Sequence, residues 1–356
     1  TSIIVFYLFQ SFFLLTPKTN LVLFAFIFSV SDYLFRLGIG KILKTKEWQT
    51  KTFFIGNSER IFKIYNYLKE NPQMGFSLSD SKKDIPNQND EELLKELKNK
   101  GIDLVVIDEE ILESKKDVFL GILYELSDQS ISITNSSDFY EIIFQKVPLR
   151  ELKDDWFVEH IGDSRKFYEA GKEVMDFILG TILSFLLLPL SFIIALLIKG
   201  TSRGPIIYEQ KRMGKNNRPF TLYKFRSMKN NMEGNLWTDK NDGRLTKLGK
   251  ILRFTHLDEI PQLINILKGN ISFLGPRPER VELALKYSSL PYYKMRHIVK
   301  PGLTGWAQIN FKPSASLEEA YEKLCYDIYY IKNRSYWLDF LIVLKTLKYF
   351  FTSQSK

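Results

Sequence analysis

The sequence predicts an α/β membrane protein, on three observations. Two strongly apolar runs, Phe6 to Leu15 and Leu21 to Val30, lie near the start. Short apolar strands then alternate with helical patterns between residues 50 and 150. A third apolar run, Val174 to Ile198, spans 25 residues and leads into a strongly basic block. The expected layout is N-terminal transmembrane helices in residues 1–45, a Rossmann-like α/β domain in 50–150 and a linker in 151–171. A re-entrant membrane helix hairpin follows in 172–200, and then an α+β domain in 201–356 that carries the candidate chemistry and ends in an interfacial helix.

The first two runs are separated by Thr16-Pro17-Lys18-Thr19-Asn20, which reads as a turn. The chain begins at Thr1 rather than Met, so a truncated start is expected. A signal peptide fits poorly, because a charged n-region and a small-residue cleavage site are missing. Lys41, Lys44, Lys46 and Lys51 follow the second run and place the next domain on the cytoplasmic side. In that domain Thr52 to Ile55, Asp103 to Ile107 and Ser130 to Thr134 read as strands. Glu59 to Lys69, Glu91 to Lys100 and Val118 to Ser127 read as helices. A ligand site is expected after the first strand, yet Phe54-Ile55-Gly56-Asn57-Ser58 has one glycine where a pyrophosphate loop needs several. Nucleotide binding and a scaffold or regulatory role both stay open.

The run Val174 to Ile198 is interrupted by Asp176 near its start and by Pro189 near its middle. Proline removes a helical hydrogen bond, so Pro189 marks the expected break of a hairpin that dips in and returns to the same face. A kinked spanning helix is the alternative. From Lys199 to Arg253 there are 14 Lys or Arg against 4 Asp or Glu, an excess larger than the net +9 of the whole chain. Nucleic acid, anionic headgroups and a phosphorylated substrate all suit such a block, and its place behind a membrane segment favours the last two. One cysteine, Cys325, excludes an intrachain disulfide and a cysteine-rich zinc site.

Next comes the adjacent acid pair Asp258-Glu259 in Leu257-Asp258-Glu259-Ile260-Pro261-Gln262-Leu263. Its ordinary reading is a helix start, with Thr255 as N-cap and the acids complementing the dipole. Facing a basic, phosphate-sized site, two neighbouring acids instead divide labour: one attacks and the other holds metal. Lys224 and Arg226 alternate along an expected strand, Phe220 to Met228, and would project from one face. Arg253 lies five residues before Asp258, and Arg277 stands between Pro276 and Pro278; both suit phosphate contacts. Gly302 and Gly305 read as allowing close approach of backbone to a ligand. His256, two residues before Asp258, reads as structural or surface.

These segments resemble the bacterial sugar transferase family, the monotopic polyprenyl-phosphate phosphoglycosyl transferases. The likeness is carried by Gly204 to Gly214 (GPIIYEQKRMG), Phe220 to Met228 (FTLYKFRSM) and Asp242 to Gly249 (DGRLTKLG). It continues through Leu252-Arg253 with the acid pair, Gly275 to Glu279 (GPRPE) and Lys300 to Asn310 (KPGLTGWAQIN). The resemblance covers roughly residues 172–350 and is closest to the long form with N-terminal membrane helices. It implies transfer of a sugar 1-phosphate from a UDP-sugar to undecaprenyl phosphate, with release of UMP, in exopolysaccharide, capsule or O-antigen initiation. It further implies a ping-pong mechanism with Asp258 as nucleophile, and Glu259 as ligand of a Mg²⁺ whose remaining ligands are substrate phosphate and water. Lys224, Arg226, Arg253 and Arg277 would bind substrate. Asp242, Arg244, Thr304 and Gln308 match family motifs without individual roles, and Asp242 and Thr304 also read as turn residues. Two departures stand out. Leu188 precedes Pro189 where many members carry serine, and Lys172 stands where the leading cation is often arginine, as a headgroup contact.

Aromatics and lysines from Tyr326 to Phe351 suit an amphipathic helix at the bilayer surface, with core packing as the alternative. Expected partners are the UDP-sugar, undecaprenyl phosphate, membrane lipid and a second copy in a homodimer, with no nucleic acid. The expected location is the bacterial inner membrane, catalytic domain on its cytoplasmic face. A non-enzymatic membrane scaffold is the alternative, and it leaves the Lys-Phe-Arg, Asp-Glu and Pro-Arg-Pro segments unexplained. A polytopic prenyl-phosphate transferase needs more hydrophobic spans than this chain offers. Nothing in the sequence reads the stereochemistry of the sugar.

Overall fold

Capping residues and apolar periodicity set the elements of the computed structural model, which describes residues 17–42, 49–82, 90–114, 131–152, 156–157, 160, 165–228, 245–312 and 316–353. Two compact units divide after Ile143. In the first, helix α1 (Pro17–Ile42) starts at the proline expected in a turn. Proline's missing N–H is no loss at the first helical position, and its fixed φ suits a helix start. The apolar run before it, and the expected helix Val118 to Ser127, lie outside the described residues.

The α/β part of this unit contains β1 (Thr50–Ile55), α2 (Glu59–Glu70), β2 (Phe76–Lys82), α3 (Asp90–Lys100), β3 (Leu104–Ile107), α4 (Glu109–Ser114), β4 (Ser132–Asn135) and α5 (Ser136–Phe144). Ser58 caps α2 by accepting the Ile61 N–H, and Ile61, Ile64 and Leu68 then fall on one buried face. The strands pair in parallel in the order β2-β1-β3-β4. Phe53, Ile55, Leu93, Leu97, Val105 and Ile107 form its core. Strand β2 was not legible in the sequence, because its alternation (Phe-Ser-Leu-Ser-Asp-Ser-Lys) is mostly polar.

This order places the switch point of the sheet between β1 and β3, where α/β folds bind ligands. Here the chain fills that place itself. Asp108, 6% exposed, accepts the Ser58 N–H at 3.0 Å and the hydroxyls of Ser58 and Ser136 at 2.6 and 2.9 Å. Gly56 has φ of +138°, and a Cβ added there would lie 2.2 Å from the Asp108 carboxylate. Beside it Glu109 accepts from Arg60 at 2.7 Å and from the Ser137 N–H at 2.9 Å. The Ser58 N–H and hydroxyl that follow the first strand thus have a side-chain carboxylate as acceptor.

The second unit begins with buried Val147, Leu149 and Phe157, the last stacked on Tyr292 with ring centroids 4.1 Å apart. Part of the stretch expected as a linker is thus core. Helix α6 (Lys166–Thr201) then runs for 36 residues with Pro189 inside it. The helix is continuous through Pro189, where a break is expected from the sequence. One stripe of α6 packs on the unit along the whole length: Gly180 on Ile266 and Leu267, Leu183 and Leu187 with the Leu263 cluster, then Leu190, Ile194 and Ile198 with Phe225 and Leu252. Contacts on both sides of Pro189 hold the helix through the missing hydrogen bond, and the Ser191 hydroxyl donates to the Leu187 carbonyl at 2.8 Å. Asp176 accepts the Phe273 N–H at 3.2 Å. Lys172, expected at lipid headgroups, is turned inward instead, 2.8 Å from both Asp339 and the Tyr330 hydroxyl. The opposite face of α6 exposes Phe177, Ile178, Phe185, Leu188 and Phe192. Among the described residues, α6 is the helix long and apolar enough to cross a membrane.

An antiparallel hairpin follows, β5 (Ile207–Met213) with β6 (Pro219–Phe225). Then come α7 (Lys247–Phe254), a 3₁₀ turn (Leu257–Glu259), α8 (Gln262–Leu267), β7 (Ser272–Leu274), α9 (Val281–Tyr287), β8 (Gly302–Thr304), α10 (Trp306–Asn310), α11 (Leu317–Asn333) and α12 (Tyr336–Ser353). Helix α12 buries Leu338 and Ile342, exposes Trp337, Phe340, Leu344 and Leu347, and sets Lys345 4.2 Å over the Trp306 ring. This is the amphipathic pattern expected of it.

Strands β7 and β8 are parallel, and their ends press two loops together. A Cβ on Gly302 would lie 2.1 Å from the Gly275 nitrogen, and one on Gly305 would lie 2.1 Å from the Gly275 oxygen. These glycines let backbone approach backbone. Gly302→Ala is therefore expected to destabilise the protein by about 3 kcal/mol. A thermal-unfolding midpoint equal to wild type would contradict this packing.

Candidate active site

The acid pair does not start an α-helix. Thr255 closes α7 with its hydroxyl donating to the Ile251 carbonyl at 2.8 Å, while Thr246 caps the other end. His256, at φ of +57°, reverses the chain into the 3₁₀ turn of Leu257–Glu259. The turn directs both acids inward, so the dipole reading falls away. Asp258 is 6% exposed, and the Glu259 side chain is 14% exposed.

Strand β6 supplies Lys224. Its outer edge is paired by a side chain: buried Asn265 of α8 accepts the Tyr223 N–H at 3.0 Å and donates to the Thr221 carbonyl at 2.7 Å. That amide docks α8, and the turn before it, onto the strand. Lys224 Nζ consequently lies 2.6 Å from Glu259 Oε1, and Arg277 Nη2 reaches the same oxygen at 3.0 Å. Burial alone would raise the Glu259 pKa, but Arg277 and Lys224 outweigh it and hold it at about 2. Asp258 behaves oppositely. Burial raises its pKa, Glu259 adds to the rise, and Lys224 and Arg253 only partly counter it. No described residue donates a hydrogen bond to its carboxylate. One acid is thus a pinned anion and the other a desolvated, unpinned carboxylate.

The loop bearing Arg277 is held at each residue. Gly275 N–H donates to Thr304 O at 2.9 Å, Gly302 N–H to Pro276 O at 2.9 Å, and Met213 N–H to Glu279 O at 2.9 Å. Arg296 donates to Arg277 O, and Arg212 to Pro278 O, each at 3.0 Å. Asn265, Arg296 and Arg212 were missed in the sequence. Only Arg212 lies inside a quoted motif, and no local pattern signals which carbonyl a distant guanidinium will meet.

The other expected residues spread out. Arg253 donates to the Ser227 hydroxyl at 2.9 Å and acts electrostatically on Asp258. Arg226 does not share the Lys224 face, because β6 ends at Phe225. Its guanidinium instead donates to Ser202 O at 2.9 Å and Ser202 Oγ at 2.6 Å, capping the C-terminal end of α6. Thr304 Oγ1 meets Thr346 Oγ1 at 3.2 Å, and Gln308 donates to Leu303 O at 3.1 Å. Both brace β8 and are not in contact with the acid pair. Asp242 and Arg244 lie outside the described residues. Among the described residues no three His, Cys, Asp or Glu side chains gather to hold a metal. Glu259 has Oε1 committed to two cations and leaves Oε2 without a donor among the described residues. That donor set fits a Mg²⁺ only when substrate oxygens complete the shell.

A sequence model of the family described as bacterial sugar transferase matches residues 167–353. A protein of Aeromonas hydrophila, named UDP-N-acetylgalactosamine-undecaprenyl-phosphate N-acetylgalactosaminephosphotransferase, is 44% identical over 184 residues, covering 51% of this chain and 44% of that protein. A UDP-glucose:undecaprenyl-phosphate glucose-1-phosphate transferase of Xanthomonas campestris pv. campestris is 31% identical over 319 residues, covering 82% of this chain and 64% of its own length. The protein of the same name from Escherichia coli (strain K12) is 42% identical over 181 residues, covering 49% and 39%. The chain spans less than two thirds of the length of each of these relatives. Because the family match takes in more than half of the residues, from the first turn of α6 to the end of α12, the chain belongs to the bacterial sugar transferase family.

Proposed function

We propose that the protein is a phosphoglycosyl transferase that moves a sugar 1-phosphate from a UDP-sugar to undecaprenyl phosphate. The observation that carries this reading is the divided acid pair, with Asp258 unpinned and Glu259 held by Lys224 and Arg277. An Asp258 oxygen attacks the sugar-linked phosphorus, the bond from that phosphorus to UMP breaks, and UMP leaves with the bonding pair. The phosphosugar then sits on the Asp258 carboxylate until a lipid phosphate oxygen displaces it and returns the free acid anion. Lys224, Arg277 and Arg253 neutralise the phosphates that would otherwise repel a carboxylate. A Mg²⁺ on Glu259 and substrate oxygens would add further charge neutralisation when bound. The names of the relatives, with their UDP-sugars and undecaprenyl phosphate, support both substrate classes.

The membrane arrangement follows from α6. A helix of 36 residues is about 54 Å long, and a perpendicular crossing would drag the packed unit into hydrocarbon. We therefore read α6 as embedded from one side, its exposed apolar face in lipid and both ends on the face that holds the catalytic unit. That is the same-side topology expected of a hairpin, reached through a proline inside a continuous helix. The basic block supports placing that side on the cytoplasmic face of the inner membrane. Initiation of an exopolysaccharide, capsule or O-antigen is the corresponding role.

Intact-protein mass tests the reading. Nanodisc-held protein incubated with Mg²⁺ and single UDP-hexoses, without lipid acceptor, is expected to gain the mass of one hexose phosphate with one donor. Absence of any adduct, together with no UMP release after undecaprenyl phosphate is added, would sink it for those donors.

A further inference from the structure

We propose that Arg296, anchored by Asp327, and Arg212 are positioning residues that fix how far Arg277 reaches toward Glu259. The inference rests on the function proposed above and goes beyond the acid pair and its two cations.

The reason starts from the backbone. Arg277 lies between Pro276 and Pro278, and neither proline has an N–H. A loop so poor in donors cannot be tied down through them, so its carbonyls become the handles and outside donors must hold them. Two of these donors are guanidinium groups on either side of the loop. Arg296 Nη2 donates to Arg277 O at 3.0 Å and pairs with Asp327 Oδ2 at 2.8 Å, while Nη1 donates to the Tyr293 hydroxyl at 3.0 Å. Arg212 Nη1 donates to Pro278 O at 3.0 Å, and its Nη2 to Gln210 Oε1 at 2.6 Å.

The Arg296 side chain is 3% exposed and that of Asp327 2%. Burying such a pair is costly, and apolar residues of similar volume would serve a core as well or better. What an apolar pair cannot do is donate to the Arg277 carbonyl. Asp327 sits on α11 four residues after Lys323, which pairs with Glu279 at the far end of the same loop. Arg296 also faces Glu279 at 3.8 Å, so α11 sets both ends of the segment through charged groups. The β5–β6 hairpin contributes Arg212 to this loop and Lys224 to Glu259 directly. Glu259 is therefore gripped by two cations whose positions trace to rigid elements.

The test uses Arg296→Lys and Arg212→Lys, each alone and combined with Arg277→Ala, in the full chain. Lysine keeps the charge but loses the planar fork that serves several partners at once. With the UDP-hexose that wild type accepts, each single substitution is expected to lower kcat/KM by about 10²-fold, as for a misplacement near 1 Å. In the Arg277→Ala background the same change should add little, because the clamp has nothing left to position. Losses that multiply with Arg277→Ala, or a silent Arg296→Lys, would overturn the proposal. Hydrogen exchange at the Gly302 and Met213 amides, which bond to the carbonyls on either side, reads the clamp without any turnover. Faster exchange in Arg296→Lys supports it and unchanged exchange overturns it. A wild type inactive with every donor would instead sink the functional reading, leaving exchange to judge the clamp alone.

Discussion

Asp258→Asn is expected to lower UMP release by about 10⁴-fold or more, as removal of a nucleophile does. The substitution is nearly isosteric, but an amide oxygen does not form the acyl phosphate, so the hexose-phosphate adduct should vanish with the activity. Stability should move the other way or stay level. Burial raises the pKa of Asp258, so ionising it in the folded protein is unfavourable relative to the unfolded chain. A neutral amide removes that cost at neutral pH. The two readouts together separate a chemical role from a structural one. A variant that keeps activity within tenfold of wild type would remove Asp258 from the mechanism.

The second large effect is expected for Glu259→Gln. It leaves Lys224 and Arg277 facing each other without their shared anion, and breaking such a buried pair costs about 3–5 kcal/mol. The pH dependence follows from the sign of the shift. The Glu259 pKa is held at about 2 in the folded protein against an ordinary 4.5. Its contribution, on the order of 3 kcal/mol, is fully present above about pH 4.5 and is lost as pH falls toward 2. Urea unfolding of wild type and variant should therefore show a gap at pH 7 that narrows through this window. Equal stability at pH 7, or a gap indifferent to pH, would refute the pinned-anion account. Turnover should fall as well, since Glu259 is also the candidate Mg²⁺ ligand.

The gathering of Asp258, Glu259, Lys224 and Arg277 was legible in the sequence, because each sits in a short motif with its own chemical signature. The parallel α/β sheet was legible from β1 and β3, whose apolar runs are unambiguous. What failed depends on partners far away along the chain. Strand alternation groups Arg226 with Lys224, but the strand stops one residue short of it and Ser202 captures its guanidinium. Thr255 looks like an N-cap from its neighbours, yet it ends the preceding helix. Pro189 argued for a break, and side-chain contacts on both flanks carried the helix through it. The glycines Gly302 and Gly305 announced a close approach without saying what approaches. The supports of the site, Asn265 and Arg296, act across 44 and 19 residues, and no periodicity registers such pairs.

The Asp108 carboxylate between β1 and β3 has a thermodynamic consequence for the α/β unit. Folds of this kind often draw stability from the ligand that neutralises their loop, so that their melting follows ligand concentration by mass action. Here the group that accepts from the loop is covalently part of the chain, so this contact forms without mass action from a dissolved ligand.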